Sequence, residues 1–285
     1  MHRRTSRAKF AGNRNANSNP TRNSRCFAFT LVELLVVIGL IAVLAGILLA
    51  SLSAAHARAK ELVCSNNLRQ LDVGLAGFVA QYHEYPLGHN PLYWSGVLQH
   101  HGTDWRSALF WQLFGQESKW PLTPVNDLRD QGVFRCPMSR IPEGWPSNWG
   151  YPSYGYNSLG TGLPVDELGL GGSWVLGPPR PMNDSEVGAP SSTYALGDGV
   201  QGAVPSLLDG TSALGRHPQK ETVPGGLKRV QSLHSGRLGI AFCDGHVARL
   251  PVRRLYGDTD DDALKSWNHD HTPHREALNR PLPTQ

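Results

Sequence analysis

At 285 residues, with 40% hydrophobic content and 8 each of Trp, Tyr and Phe, the chain can bury a sizeable core, and a disordered or fibrous protein is excluded. The formal net charge of +4 is unevenly placed: residues 1–28 hold seven of the 27 Lys and Arg and no acid, leaving 20 bases against 23 acids in the rest. The positive charge therefore belongs to a leader, and a surface that grips nucleic acid is excluded.

After the leader, residues 34–55 form a run of 22 uncharged, mostly apolar residues, and a helix needs about 20 to cross the hydrocarbon core. A cleaved secretory signal would carry a shorter apolar run. Glu33 stands just inside the apolar segment, where a carboxylate is costly unless it has a partner or a purpose. Seven bases before the span, against Arg58 and Lys60 just after it, predict a cytoplasmic N-terminus and a head outside the inner membrane.

The string Ala28-Phe29-Thr30-Leu31-Val32-Glu33 followed by an apolar helix resembles the processing site of type IV pilins and type II secretion pseudopilins. The resemblance implies a leader, residues 1–28, removed by prepilin peptidase between Ala28 and Phe29. It also implies N-methylation of Phe29 and a role for Glu33 in subunit assembly. Two positions depart from the family: Ala28 stands where Gly is usual, and Ala50 where many pilins place a helix-kinking Pro.

Beyond a membrane helix at 29–55, the sequence predicts an extracytoplasmic continuation over 56–86. Leu68, Leu71, Leu75, Phe78 or Val79, and Tyr82 recur at helical period, and Pro86 ends the run. From residue 29 to about 83 such a helix would extend roughly 80 Å. Asn66, Asn67, Arg69 and Gln70 read as a solvated face.

A head over 87–255 follows, rich in Gly, Pro and Trp. Six of the eight Trp fall between 94 and 149, among them Trp105 and Trp111 in a helix-like stretch over 104–114 that Asp104 would cap. Trp at this density reads as core, beside the alternative of a glycan-stacking surface. The strings Phe134-Arg135-Cys136-Pro137, Ser153-Tyr154-Gly155-Tyr156-Asn157 and Cys64-Ser65-Asn66-Asn67-Leu68-Arg69-Gln70-Leu71 resemble segments of a pilin-like group with a C-terminal His-x9-Asp-Gly motif, here His234 and Asp244-Gly245. That resemblance touches residues 28–86, 134–157 and 234–250. In the last stretch, 238–243 and 246–250 read as strands joined by Asp244-Gly245, a dipeptide favoured in type I′ turns, with Ser235-Gly236 an earlier turn. The motif residues read as architecture, beside the alternative that His234, Asp244 and His246 form a metal or acid–base site. No nucleophile elbow and no phosphate loop occurs.

The four cysteines form no CxxC. Cys26 lies in the leader, and an oxidising compartment would allow one disulfide among the other three. Cys64 with Cys136 is the preferred pair, beside the alternative of three small buried residues. Residues 256–285 read as a polar tail. There Asp258, Asp260 and Asp262 offer carboxylates for calcium, which type II pseudopilins are known to bind near their C-termini, beside the alternative of a solvated acidic loop. His269, His271 and His274 offer ligands for a transition metal.

The expected fold is α+β and pilin-like: a long N-terminal transmembrane helix packed on a small antiparallel sheet, with extensive loops. The expected function is a non-enzymatic pseudopilin subunit of a type II secretion pseudopilus or type IV-like filament, requiring no cofactor. Its partners would be prepilin peptidase, other pilin subunits and the inner membrane. The alternative is a membrane-anchored binding module with a Trp-rich surface.

Overall fold

The computed structural model describes residues 30–88, 105–115, 132–138, 153–162, 167–172, 180–198, 213–215 and 234–279, with backbone alone at 50 and 213–215. Ala28, Phe29, Asp104 and Trp94, Trp120, Trp145, Trp149 lie outside the described residues. The chain divides into two compact units, residues 1–52 and 53–285.

Helix α1 (Leu31–Tyr82) runs through the end of the first unit into the second. In the first unit its large apolar side chains, from Leu31 to Leu52, are exposed, and the mean hydropathy there reaches 2.9. By length and composition this helix can cross a membrane. At its far end His83 adopts φ +57 and donates its amide to the carbonyl of Val79 at 2.8 Å, so a left-handed residue other than Gly closes the helix.

In the second unit the outer half of α1 buries Leu68, Leu71, Leu75 and Phe78 of the stripe expected from the spacing, leaves Tyr82 half-buried, and buries Cys64 as well. Asn67 departs from the expected solvated face. It is buried, and its side-chain amide donates to the carbonyl of Arg135 at 2.9 Å, replacing the hydrogen bonds it loses to water. Helix α2 (Trp105–Phe114) packs Leu113 and Gln112 over Gly74 and Gly77 of α1, where a Cβ would stand 2.9 and 2.8 Å from them. Trp105 is buried and stacks on Tyr156, whereas Trp111 is exposed.

The stripe packs on a five-stranded sheet of β1 (Tyr154–Gly160), β2 (Tyr194–Asp198), β3 (Ala213–Gly215), β4 (Arg237–Phe242) and β5 (Val247–Pro251), in the order β3-β1-β2-β4-β5. Four strands are antiparallel, with Gly155 opposite Gly197 and Gly197 opposite Ile240, while β3 pairs with β1 in parallel. Alternation along β4 splits the core. Ala241 joins α1 and Tyr154, whereas Leu238, Ile240 and Phe242 face the other way onto Val252, Leu255 and Trp267.

That second layer is formed by the end of the expected head and by the segment read as a polar tail, residues 256–285. Helices α3 (Val252–Tyr256) and α4 (Asp261–Lys265) bury Val252, Leu255, Ala263 and Leu264, and Trp267 is fully buried edge-on to Tyr194. Each large apolar side chain removed from water here contributes about 1.5–3 kcal/mol. Asn157 ties the layers together, donating to the carbonyls of Tyr194 at 2.7 Å and Trp267 at 2.8 Å.

The β4–β5 turn also differs from expectation. It has three loop residues, Cys243-Asp244-Gly245: Gly245 donates to the carbonyl of Phe242 at 3.0 Å, and Gly245 alone of the three has positive φ, at +97. This is a turn with a terminal left-handed Gly rather than a two-residue type I′ turn. The type I′ signature, positive φ at both central residues, lies instead at Ser235 (φ +54) and Gly236 (φ +76), closed by Arg237 donating to the carbonyl of His234 at 3.1 Å.

Candidate functional site

The first turn of α1 is built as a capping box. Thr30 donates both its amide (2.9 Å) and its hydroxyl (2.8 Å) to Glu33 Oε2, and Glu33 returns its amide to Thr30 Oγ1 at 3.2 Å. Glu33 is exposed and is the acidic residue of the helix's first turn. The arrangement fixes where the helix starts and leaves a carboxylate at the positive end of its dipole. The junction Ala28–Phe29 lies outside the described residues.

The head assembles a second group of chemistry-bearing residues, and the structure takes the sequence motif apart to do so. His234 and Asp244 stand at opposite ends of β4, and each has another partner. His234 Nδ1 lies 3.8 Å from Asp198 Oδ2, and its Nε2 lies 3.7 Å from the sulfur of Cys136. Cys136 is joined in a disulfide to Cys64, and Cys243 is free. Asp198, buried at the end of β2, accepts the amide of Gly239 at 2.6 Å. Desolvation pushes its carboxyl above the ordinary value, an effect that His234 and the Gly239 amide oppose. The carbonyl of Cys64 accepts the Tyr154 hydroxyl at 3.2 Å, and that of His234 accepts Arg249 at 3.1 Å.

At the other end of β4, Asp244 Oδ1 accepts from both the amide (3.2 Å) and the ring (2.6 Å) of His246. Beside it, Asp72 of α1 is buried, and desolvation, reinforced by the charge of Asp244, raises its carboxyl to about 7. Burial likewise pushes the Cys243 thiol up to about 12, so it stays a neutral thiol.

The three aspartates weighed for calcium are each engaged by a base. Asp258 meets Arg253 at 3.1 Å, Asp260 meets Arg254 at 2.8 Å and caps α4, and Asp262 meets Lys265 at 2.6 Å. The tail histidines are likewise dispersed. His269 reaches the carbonyl of Leu168, His274 lies between Asp270 and Glu276, and the ring Nδ1 of His271 is buried without a hydrogen bond. Sequence reasoning did not find Asp198, Asp72, Glu61 or Arg249, since each acquires its role from a partner distant in the chain.

Residues 23–49 match the family model described as the prokaryotic N-terminal methylation motif. The chain thus carries a type IV pilin-like, prepilin-type signal at the start of an α+β, pilin-like fold. Such a signal is of the kind that prepilin peptidase processes in pilin-type subunits. No curated protein and no solved structure matches the chain.

Proposed function

We propose that the chain is a non-enzymatic pseudopilin subunit of a type II secretion pseudopilus or related type IV-like filament. Prepilin peptidase cuts between Ala28 and Phe29 and methylates the new N-terminus. The helix then holds the subunit in the inner membrane, N-terminus inward, until assembly draws it into the filament, with the head outside. The observation that carries this reading is Glu33 in the first turn of an exposed apolar helix, inside the matched motif. A lone carboxylate in lipid is costly, and pairing with the protonated amine of a neighbouring subunit's Phe29 offsets the desolvation of both. The exposed apolar face of residues 31–52 supplies the packing surface for such neighbours. Mass spectrometry of the chain from membranes tests the reading: it should begin at N-methylated Phe29. An intact Met1 leader, or a cut near Ala55, would overturn it.

A further inference from the structure

Beneath the Ser235-Gly236 turn the head buries three metal-capable side chains. The ligand atoms of Cys64, Cys136 and His234 lie within 4.8 Å of one another, and these residues are 3, 1 and 6% exposed. His234 is the pivot. Its Nε2 faces the Cys136 sulfur at 3.7 Å, and its Nδ1 faces the Asp198 carboxylate at 3.8 Å. Sulfur on one edge of an imidazole and a buried carboxylate on the other is the layout of a ligating His and its orienting partner, which here stands at 3.8 Å and would close to a hydrogen bond on metal binding. Asp198 is itself held by the Gly239 amide, and a disulfide alone requires neither the buried imidazole nor the buried carboxylate behind it. The Sγ-to-nitrogen separation of a tetrahedral zinc site is about 3.6 Å, close to the 3.7 Å between Cys136 Sγ and His234 Nε2, and the two sulfurs would need to part. A surface recess is lined by Val63, Arg135 and Pro137, the chain neighbours of the two cysteines.

We propose that the dithiol form of this site binds one thiophilic divalent cation of the zinc class through Cys64, Cys136 and His234. Asp198 orients the imidazole, and the fourth position is open to water. Disulfide and metal are alternatives at the same two sulfur atoms. A dithiol reductant breaks the Cys64–Cys136 bond, supplying two electrons and two protons and becoming a disulfide itself. The cation then displaces both thiol protons.

The test uses the full chain in detergent, with Cys26→Ser and Cys243→Ser, reduced by a dithiol, desalted without oxygen and titrated with Co²⁺. One equivalent should bind with a thiolate-to-cobalt charge-transfer band, Zn²⁺ should displace it, and the oxidised chain should show no such band. Asp198→Asn should weaken binding about 10- to 100-fold with the band retained, and His234→Ala should alter or abolish the band, with folding followed by circular dichroism. Should His234→Ala unfold, Asp198→Asn decides the matter. Absence of stoichiometric uptake by the reduced chain, or uptake that Asp198→Asn leaves unchanged, overturns the site.

Discussion

Glu61 of α1 and Arg249 of β5, 188 residues apart, meet at 2.8 Å, and the same guanidinium donates to the carbonyl of His234 at 3.1 Å. Glu61 also accepts the hydroxyl of Ser235 at 3.2 Å. One ion pair thus fastens the edge strand and the His234 turn to the helix. Ser235, bonded to the same carboxylate, has positive φ.

Arg249→Ala should cost about 1–2 kcal/mol, more than a fully exposed pair, because it also strips the His234 carbonyl of a donor. Arg249 holds the Glu61 carboxyl below its ordinary value. The pair's contribution is therefore present above the ordinary Glu value and fades as pH falls through the lowered one. Urea melts of the wild type and Arg249→Ala should converge as pH falls below the ordinary Glu range. A constant gap across that range would show that the loss is packing rather than charge.

Asp72 runs the opposite way. It is 4% exposed, and its carboxyl lies at about 7 in the fold against an ordinary 3.8. The unfolded chain releases this proton first, so folding stability falls as pH rises from about 4 to about 7 and is level above, a loss on the order of 4 kcal/mol in all. Asp72→Asn should remove most of that slope and be the more stable chain at neutral pH. Asp198 is also raised and adds a slope of the same sign, so the informative quantity is the difference between the two chains. Equal slopes would refute the assignment to Asp72.

Gly245 sits at φ +97, and a Cβ there would meet nothing nearer than Asp72 Oδ2 at 3.7 Å. The expected penalty of Gly245→Val is therefore conformational, about 1–3 kcal/mol. Gly245→Asn, which tolerates the left-handed region, should recover much of it. If Val and Asn destabilise equally, crowding against Asp72 rather than backbone strain governs the turn.

The helix, its buried stripe and the β4–β5 hairpin were legible because each rests on local periodicity: Leu68, Leu71 and Leu75 repeat at helical spacing, and 238–250 alternates. What was not legible depends on partners remote in sequence. Asn67 is polar by type and inward by its bond to Arg135. His234 takes Asp198 and not Asp244, although Asp244 shares its motif. The tail misleads through composition: its acids pair with neighbouring Arg and Lys, while its Ala263, Leu264 and Trp267 are buried beside Val252 and Leu255 at the end of the expected head. Turn type escaped because Asp244-Gly245 suits both a type I′ turn and a three-residue loop ending in Gly.

Under the proposed function Glu33 has two roles, which Glu33→Ala alone cannot separate. Its carboxylate caps the helix through Thr30, and in the proposed filament it meets a neighbour's Phe29 amine. Glu33→Ala should still insert and be cleaved but fail to enter sheared filaments. Loss of the Thr30 contacts would weaken the helix start in either case. Glu33→Gln keeps an acceptor for Thr30, since Gln serves the same capping position, yet carries no charge. If charge pairing drives assembly, Gln should be excluded from filaments as Ala is. If the helix start alone matters, Gln should assemble. Quantifying each variant in sheared filaments against the membrane pool separates the cases, and normal incorporation of Glu33→Ala would remove the carboxylate from assembly altogether.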